Sequence, residues 1–338
     1  MITLDVFNND AFSVTTMLEP VNLMPTVPAF LGSLGIFNDE PVATDTIGIG
    51  RKETDLNLIQ TTLRGAPIEI LDPEDKNYRP FKIPRIAKGS KIRASELANV
   101  IPGPDSNEVE TAMARLARDQ QRLKQDVVYT DEFHMLGAIQ GVLIDADGSV
   151  LVDYYDEWDI AVPDDIEVDF TLDGGELAEV FRSQIERPLI RAAKTGQGVS
   201  RVIALTGDEY WDKLLRNPEV RETYLHYQAA ADLRNQSAFQ TFRYGNVEWI
   251  NYRGSDDNST IAVDVDEAVI FPTGVPGMFR KVLGPGETIE TVNRMGRDVY
   301  PLIVWDKDRN MWIQPEIYAY HLHLNTRPDL VLRATIAG

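Results

Sequence analysis

The chain has no cysteine in its 338 residues, which excludes disulfides, thiolate zinc sites and thiol nucleophiles. It has no run of about 18 apolar residues, so no membrane-spanning helix is expected. The opening MITLDVFNND lacks the basic start and apolar stretch of a secretory signal. Motifs that carry chemistry are also missing. GVPG and GPGE lack the lysine and hydroxyl residue that complete a phosphate-binding loop, and neither G-x-S-x-G nor H-E-x-x-H occurs. Histidine is scarce, at four residues. His321 and His323 share one face of a strand, a spacing found in some zinc sites, but the sequence fixes no third ligand. The pair reads as structural. No catalytic, cofactor-binding or metal-binding residue is expected, and no cofactor.

Basic charge is also in short supply. Asp and Glu number 53 against 33 Lys and Arg, a net of −20. Phosphate would be repelled by most of such a surface. Against that background stands KNYRPFKIPRIAKGSKIR, residues 76–93, with seven bases and no acid. Lys76, Arg79, Lys82, Arg85, Lys88 and Lys91 recur at every third position. The ribbon is open to three readings: contact with an acidic neighbouring subunit, contact with DNA, or a solvated strand. Ile83, Ile86 and Ile92 need apolar cover, which favours the first.

Hydrophobic content of 43% describes an ordinary globular chain with length for about two domains. Residues 1–44 are apolar but broken at Pro20, Pro25, Pro28 and Pro41, which rules out one long helix. They read as an extended arm whose Leu18, Val21, Leu23, Phe30 and Phe37 need a surface, the chain's own or a neighbour's. Residues 46–95 read as a two-stranded excursion with a polar tip near Asp72-Pro73, returning through the basic ribbon. A hairpin of this kind is marginal alone and needs support. Next comes the clearest helix, 105–139, with Val109, Met113, Leu116, Gln120, Leu123 and Val127 at three- and four-residue steps. Asp145-Ala-Asp147-Gly148 fails as a calcium loop, because positions one and twelve would be Leu143 and Tyr154. Apolar runs on both sides make it a hairpin turn. From Thr171 the texture is mixed α/β. It includes a strand before Thr206, helices capped near Thr206 or Asp208 and restarting at Pro218, and a strand at 261–271. The chain closes in three or more strands.

This order resembles the lambda-type major capsid protein E family of tailed bacteriophages. The residues carrying the resemblance are LEPVNLMPTVPAFLGSLGIF, the hairpin with RGAPIEI and RPFKIPRI, and the helix 105–139. LTGDEYWDKLLRNPEVRETY and MWIQPEIYAYHLHLNTRPDLVLRATI complete the set. The resemblance implies an α+β chain with the HK97-like capsid fold. An N-terminal arm would span 1–44 and an E-loop 45–95. A peripheral domain with a spine helix would cover 96–165 and 306–338, and an axial α/β domain 166–305. It also implies self-assembly as pentamers and hexamers into an icosahedral shell around double-stranded DNA. A portal, a separate scaffold protein and a decoration protein would be partners, with no membrane. The protein would reside in the virion, and in the host cytoplasm during assembly. On this reading the ribbon cations are E-loop contacts between subunits, and the five apolar arm residues are N-arm contacts. The chain would not be an enzyme. A cellular nanocompartment shell of the same fold is the alternative, followed by a carboxylate or His321/His323 metal enzyme.

Overall fold

The computed structural model describes residues 30–50, 78–98, 108–172, 175–193, 199–232, 241–252 and 261–337. Leu18, Val21, Leu23 and Lys76 lie outside them.

The described chain begins with α1 (Phe30–Leu34), β1 (Asn38–Pro41) and β2 (Thr46–Gly50). Alternation at Ile47 and Ile49 gives β2 one covered face, with Ile49 buried. It pairs antiparallel with β3 (Tyr78–Lys82), Thr46 opposite Lys82 and Gly50 opposite Tyr78. This is the base of the expected hairpin, whose 51–77 lies outside the described residues. The return rejoins the body sooner than residue 95. After Pro84, β4 (Ile86–Gly89) and β5 (Ile92–Arg93) pair with a later strand, Trp312–Ala319. Ile92 is buried opposite Ile313, and Ile86 packs beside Ile317 and Val127.

A short α2 (Ala94–Ala98) precedes α3 (Glu108–Gln140), the expected long helix. Its 33 residues span about 50 Å. Leu116, Leu123 and Val127 are buried as the periodicity requires. The side chains of Val109 and Met113 lie outside the described residues. The expected wet face holds only for the first half. Between Asp131 and Ile139 every side chain is buried or half-buried. The helix ends at Gly141, whose φ of +91° and close approach to the Tyr155 ring exclude a Cβ.

The turn at Asp147-Gly148 joins β6 (Val142–Ile144) to β7 (Val150–Asp153), the hairpin the sequence predicts. Asp153 then caps α4 (Tyr154–Trp158). There follow β8 (Ile166–Val168), α5 (Glu176–Val180), a π-helical turn (Phe181–Glu186) and α6 (Arg187–Ala193). Next are β9 (Arg201–Thr206), α7 (Asp208–Arg216) and α8 (Pro218–Asp232), with proline in the first turn as expected. The cap of α7 is Gly207 rather than Thr206 or Asp208. A Cβ there would lie 2.1 Å from the Asp264 carbonyl oxygen, so only glycine fits.

The remaining strands are β10 (Thr241–Tyr244), β11 (Val247–Asn251), β12 (Glu267–Thr273) and β13 (Phe279–Leu283). They continue with β14 (Tyr300–Trp305), β15 (Trp312–Ala319), β16 (His321–Asn325) and β17 (Leu332–Ile336). One sheet runs β10-β11-β9-β12-β17-β8. The closing strand β17, which the sequence groups with 306–338, thus pairs with β12 and β8 of the α/β part. That sheet carries the larger core, where Phe181 and Tyr210 flank Trp249 at ring distances of 4.7 and 6.0 Å. A second group of strands, β1-β13-β16 and β14-β15-β4, lies along α3. Leu123 and Val127 meet Val299, Ile317 and Ala319 there.

Leu123→Ala empties part of that seam and is expected to cost about 2–5 kcal/mol in denaturant unfolding. A loss below about 1 kcal/mol would show that α3 does not depend on this face.

Candidate assembly surface

A cation at every third residue cannot line one face of a strand, because side chains alternate with period two. The ribbon is accordingly spread over different partners. The Arg79 guanidinium stands 5.9 Å from the Trp158 ring centre and 4.0 Å from Glu157. Arg85 lies 3.2 Å from Glu287 and 5.0 Å from the Tyr318 ring centre. Lys88 reaches Asp126 of α3 at 2.6 Å, and Lys91 sits 4.2 Å from the Trp312 ring centre. Lys82 is exposed and makes no ion pair among the described residues. The side chains of Arg79, Arg85 and Lys88 remain 39%, 50% and 57% exposed, so each pair contributes only about 0–1 kcal/mol. These charges rest on the subunit without being consumed by it. The isoleucines are another matter. Ile83 and Ile92 are buried and Ile86 is half-buried within the chain, so their cover needs no neighbour and gives no support to subunit contact.

Two of the five arm residues are described, and both pack within the subunit. Phe30 lies 6.0 Å from the Tyr252 ring and Phe37 lies 5.2 Å from Phe279. Between them the arm is tied to α3 by a buried carboxylate. Glu132 accepts hydrogen bonds from the backbone N–H groups of Leu31 and Gly32 and from the Tyr252 hydroxyl, at 2.9 to 3.4 Å. Burial pushes the Glu132 carboxyl up, and the N–H and hydroxyl donors oppose that.

One residue earlier on α3, Asp131 opens a second polar contact. Its two oxygens lie 2.7 and 2.9 Å from His321 Nδ1, and one lies 3.0 Å from Lys281 Nζ. Lys281 also reaches Asp298 at 3.1 Å, and His321 Nε2 lies 2.6 Å from the Asp298 carbonyl oxygen. A carboxylate oxygen and a peptide oxygen both accept, so each nitrogen of His321 faces an acceptor. Burial alone would raise the Asp131 carboxyl, but His321 and Lys281 hold it well below the usual carboxylate range. Asp131, Asp298 and His321 could by distance surround a cation, yet the Lys281 ammonium already stands among them. Lys281 and His321 thus already engage the carboxylates of this cluster.

No described residue forms a catalytic constellation around these groups, and the chain's identity comes from its relatives. The profile of the family described as phage major capsid protein E matches residues 13–336. The chain belongs to that family. It is 23% identical to the major capsid protein of Salmonella phage Felix O1, with 95% of each chain covered. It is 25% identical to that of Pseudomonas phage KPP10, over 86% of this chain and 87% of the relative. Among solved structures, the putative capsid protein of an E. coli CFT073 prophage superposes with a TM-score of 0.58 at 13% identity, covering 96% and 99% of the two chains. The capsid of Ralstonia phage GP4 gives 0.51 at 10% identity, covering 90% and 88%. At these identities the structures show the fold, which is HK97-like, and the family match supplies the role. This capsid protein is a structural subunit of the virion that associates with its own copies into a shell. The nanocompartment alternative gives way to that match.

Sequence reasoning found the helix that carries this capsid protein but missed both of its buried carboxylates. Glu132 lies off the apolar stripe of α3, whereas Asp131 falls on it, four residues after Val127, at a position the period reserves for an apolar side chain. Their signal was present: His321, the partner of Asp131, lies in an otherwise apolar strand, YAYHLHL, where a polar side chain requires a partner. Glu132→Ala strands two backbone N–H groups and a phenol. We expect a loss of about 1–3 kcal/mol and faster amide exchange at 30–37. Unchanged exchange there would show that the arm root is held by Phe30 and Phe37 alone.

Proposed function

We propose that this subunit assembles as pentamers and hexamers into an icosahedral head enclosing double-stranded DNA, and that its N-terminal arm and basic ribbon make the contacts between subunits. One observation carries the ribbon's role. No Lys or Arg precedes Arg51, while Asp5, Asp10, Glu19, Asp39, Glu40 and Asp45 do. The ribbon is the reverse, with seven bases and no acid. An acidic, apolar arm and an exposed basic ribbon are complementary, and residues 1–29 could reach on the order of 90 Å if extended. Leu18, Val21 and Leu23 would then contact a neighbour, with Phe30 and Phe37 as the root. Lys76, Arg79, Lys82, Arg85, Lys88 and Lys91 would offer the opposing charge. The strongly acidic remainder suits an inner face over which packaged DNA slides. A portal, a separate scaffold and a decoration protein complete the head, with assembly in the host cytoplasm and no enzymatic step.

The same reading divides the chain into arm (1–44), E-loop (45–95), peripheral domain (96–165 and 306–338) and axial domain (166–305). The pairing of β17 with β12 argues for moving 332–336 to the axial part.

Arg79→Glu with Arg85→Glu places like charges against the arm, and the yield of empty shells is expected to fall several-fold. Adding Asp5→Lys, Asp10→Lys and Glu19→Lys is expected to restore it. Assembly of the parent should weaken towards 1 M salt, where the Debye length is about 3 Å. Equal yields for parent and ribbon variant, with only packaged DNA reduced, would assign the ribbon to DNA. A normal ribbon-variant yield with normal packaging would leave it merely solvated.

A further inference from the structure

The seam around Asp131 contains two more histidines that the shell-building role does not explain. His323 is wholly buried and His134 nearly so, and no described residue hydrogen-bonds either ring. Their rings lie 6.2 Å apart, and His323 lies 6.4 Å from His321. Phe37 meets the His323 ring edge-on at 5.4 Å, and Phe133 lies 6.0 Å from His134. The three imidazoles thus form a chain from α3 to β16 through an apolar wall.

The charges facing this chain can be counted. Lys281 of β13 is positive, and the His321 ring of β16 lies between Asp131 and the Asp298 carbonyl oxygen. Asp131 of α3 and Asp298, just before β14, are negative. Asp145, in the turn after β6, also acts on His134. With His134 and His323 neutral, Asp131 and Asp298 are already paired with Lys281 and the His321 ring, and Asp145 is the remaining carboxylate near the chain. A proton on either histidine adds a positive charge in a dry space beside His321 and Lys281, with no new carboxylate to answer it. Desolvation of that kind is costly.

We propose that this seam is an acid-sensitive joint: protonation of His134 and His323 separates the spine helix α3 from β13 and β16, and loosens the Asp298 loop tied to them. Tyr154 and Trp158 hold β16 from the other side by donating to the carbonyl oxygens of His323 and Asn325. The opening is therefore a parting of α3 from the sheet rather than loss of β16.

The direction with pH follows from burial. Desolvation lowers His323 to about 3 and lowers His134 as well, against about 6.5 for a solvated imidazole. The closed joint binds fewer protons than the open one between those limits. It is fully favoured above about pH 6.5 and loses ground as pH falls, by up to about tenfold per pH unit per histidine. Asp131, held low in the closed joint, adds to the loss only below about pH 4. The loss from about 6.5 to 4 therefore comes from the histidines, and Glu132, whose carboxyl burial pushes up, acts in the opposite direction.

The test is hydrogen–deuterium exchange of assembled full-length particles between pH 7.5 and 4, corrected for intrinsic exchange. Peptides covering 131–139 and 321–325 are expected to lose protection at least tenfold between pH 6.5 and 4.5, before the peptide covering 201–206 in the six-stranded sheet. His323→Leu and His134→Leu, which remove an unbonded polar ring, should keep the joint closed to lower pH by about one unit. His226→Leu, at an exposed site on α8, should behave as the parent. Full protection of the parent seam at pH 4.5, or simultaneous opening of all peptides, overturns the proposal. So does an unshifted transition in both leucine variants. If neither variant folds, the parent profile decides alone.

Discussion

A carboxylate taken out of water must be answered, and in this subunit Asp131 is that carboxylate. It sits on the long helix α3 where the helix passes from its half-wet course into the interior. His321 and Lys281 answer it from two strands of one sheet. The register of helix on sheet follows, because neither partner can move a turn along α3 without leaving the carboxylate unanswered. Replacing one partner in such a buried cluster costs about 3–5 kcal/mol, more than any exposed ribbon pair contributes. Glu132, one residue on, faces the other way and fixes α1 by the same logic. Two adjacent acids thus set the positions of the sheet and of the arm's root against the spine.

That arrangement separates what must be rigid from what is left for neighbours. The charged groups of the seam are mutually satisfied inside the subunit. The ribbon's charges are not: they lie on exposed acids and aromatic rings that solvent or another chain could replace. Exposed pairs are individually weak and sensitive to salt, which suits contacts that form many times over in a shell and must correct errors while doing so.

Much of the fold was legible because strong local patterns agreed with the final packing. Leu116, Leu123 and Val127 recur with helical period, Asp147-Gly148 sits between apolar runs, and Pro218 opens a helix. What failed to show was anything set by distant partners. The partners of Asp131 and Glu132 lie roughly 100 to 190 positions away, which no local period encodes. Gly207 caps α7 because Asp264 leaves no room for a side chain, again a tertiary fact. The ribbon misled differently. Its isoleucines looked orphaned because strand β15, which covers Ile92 and flanks Ile86, lies more than 200 residues away in sequence. The spacing of three concealed that its cations face different ways.

The most direct measurement is a cryo-electron microscopy reconstruction of assembled particles at side-chain resolution. The account predicts that residues 1–29 of each subunit lie along residues 76–93 of a neighbour, with Asp5, Asp10 or Glu19 near ribbon cations. The Asp131, His321 and Lys281 cluster should remain closed within every subunit at neutral pH. Arms folded back on their own subunits, or a ribbon turned inward to the DNA with no protein beside it, would contradict the account.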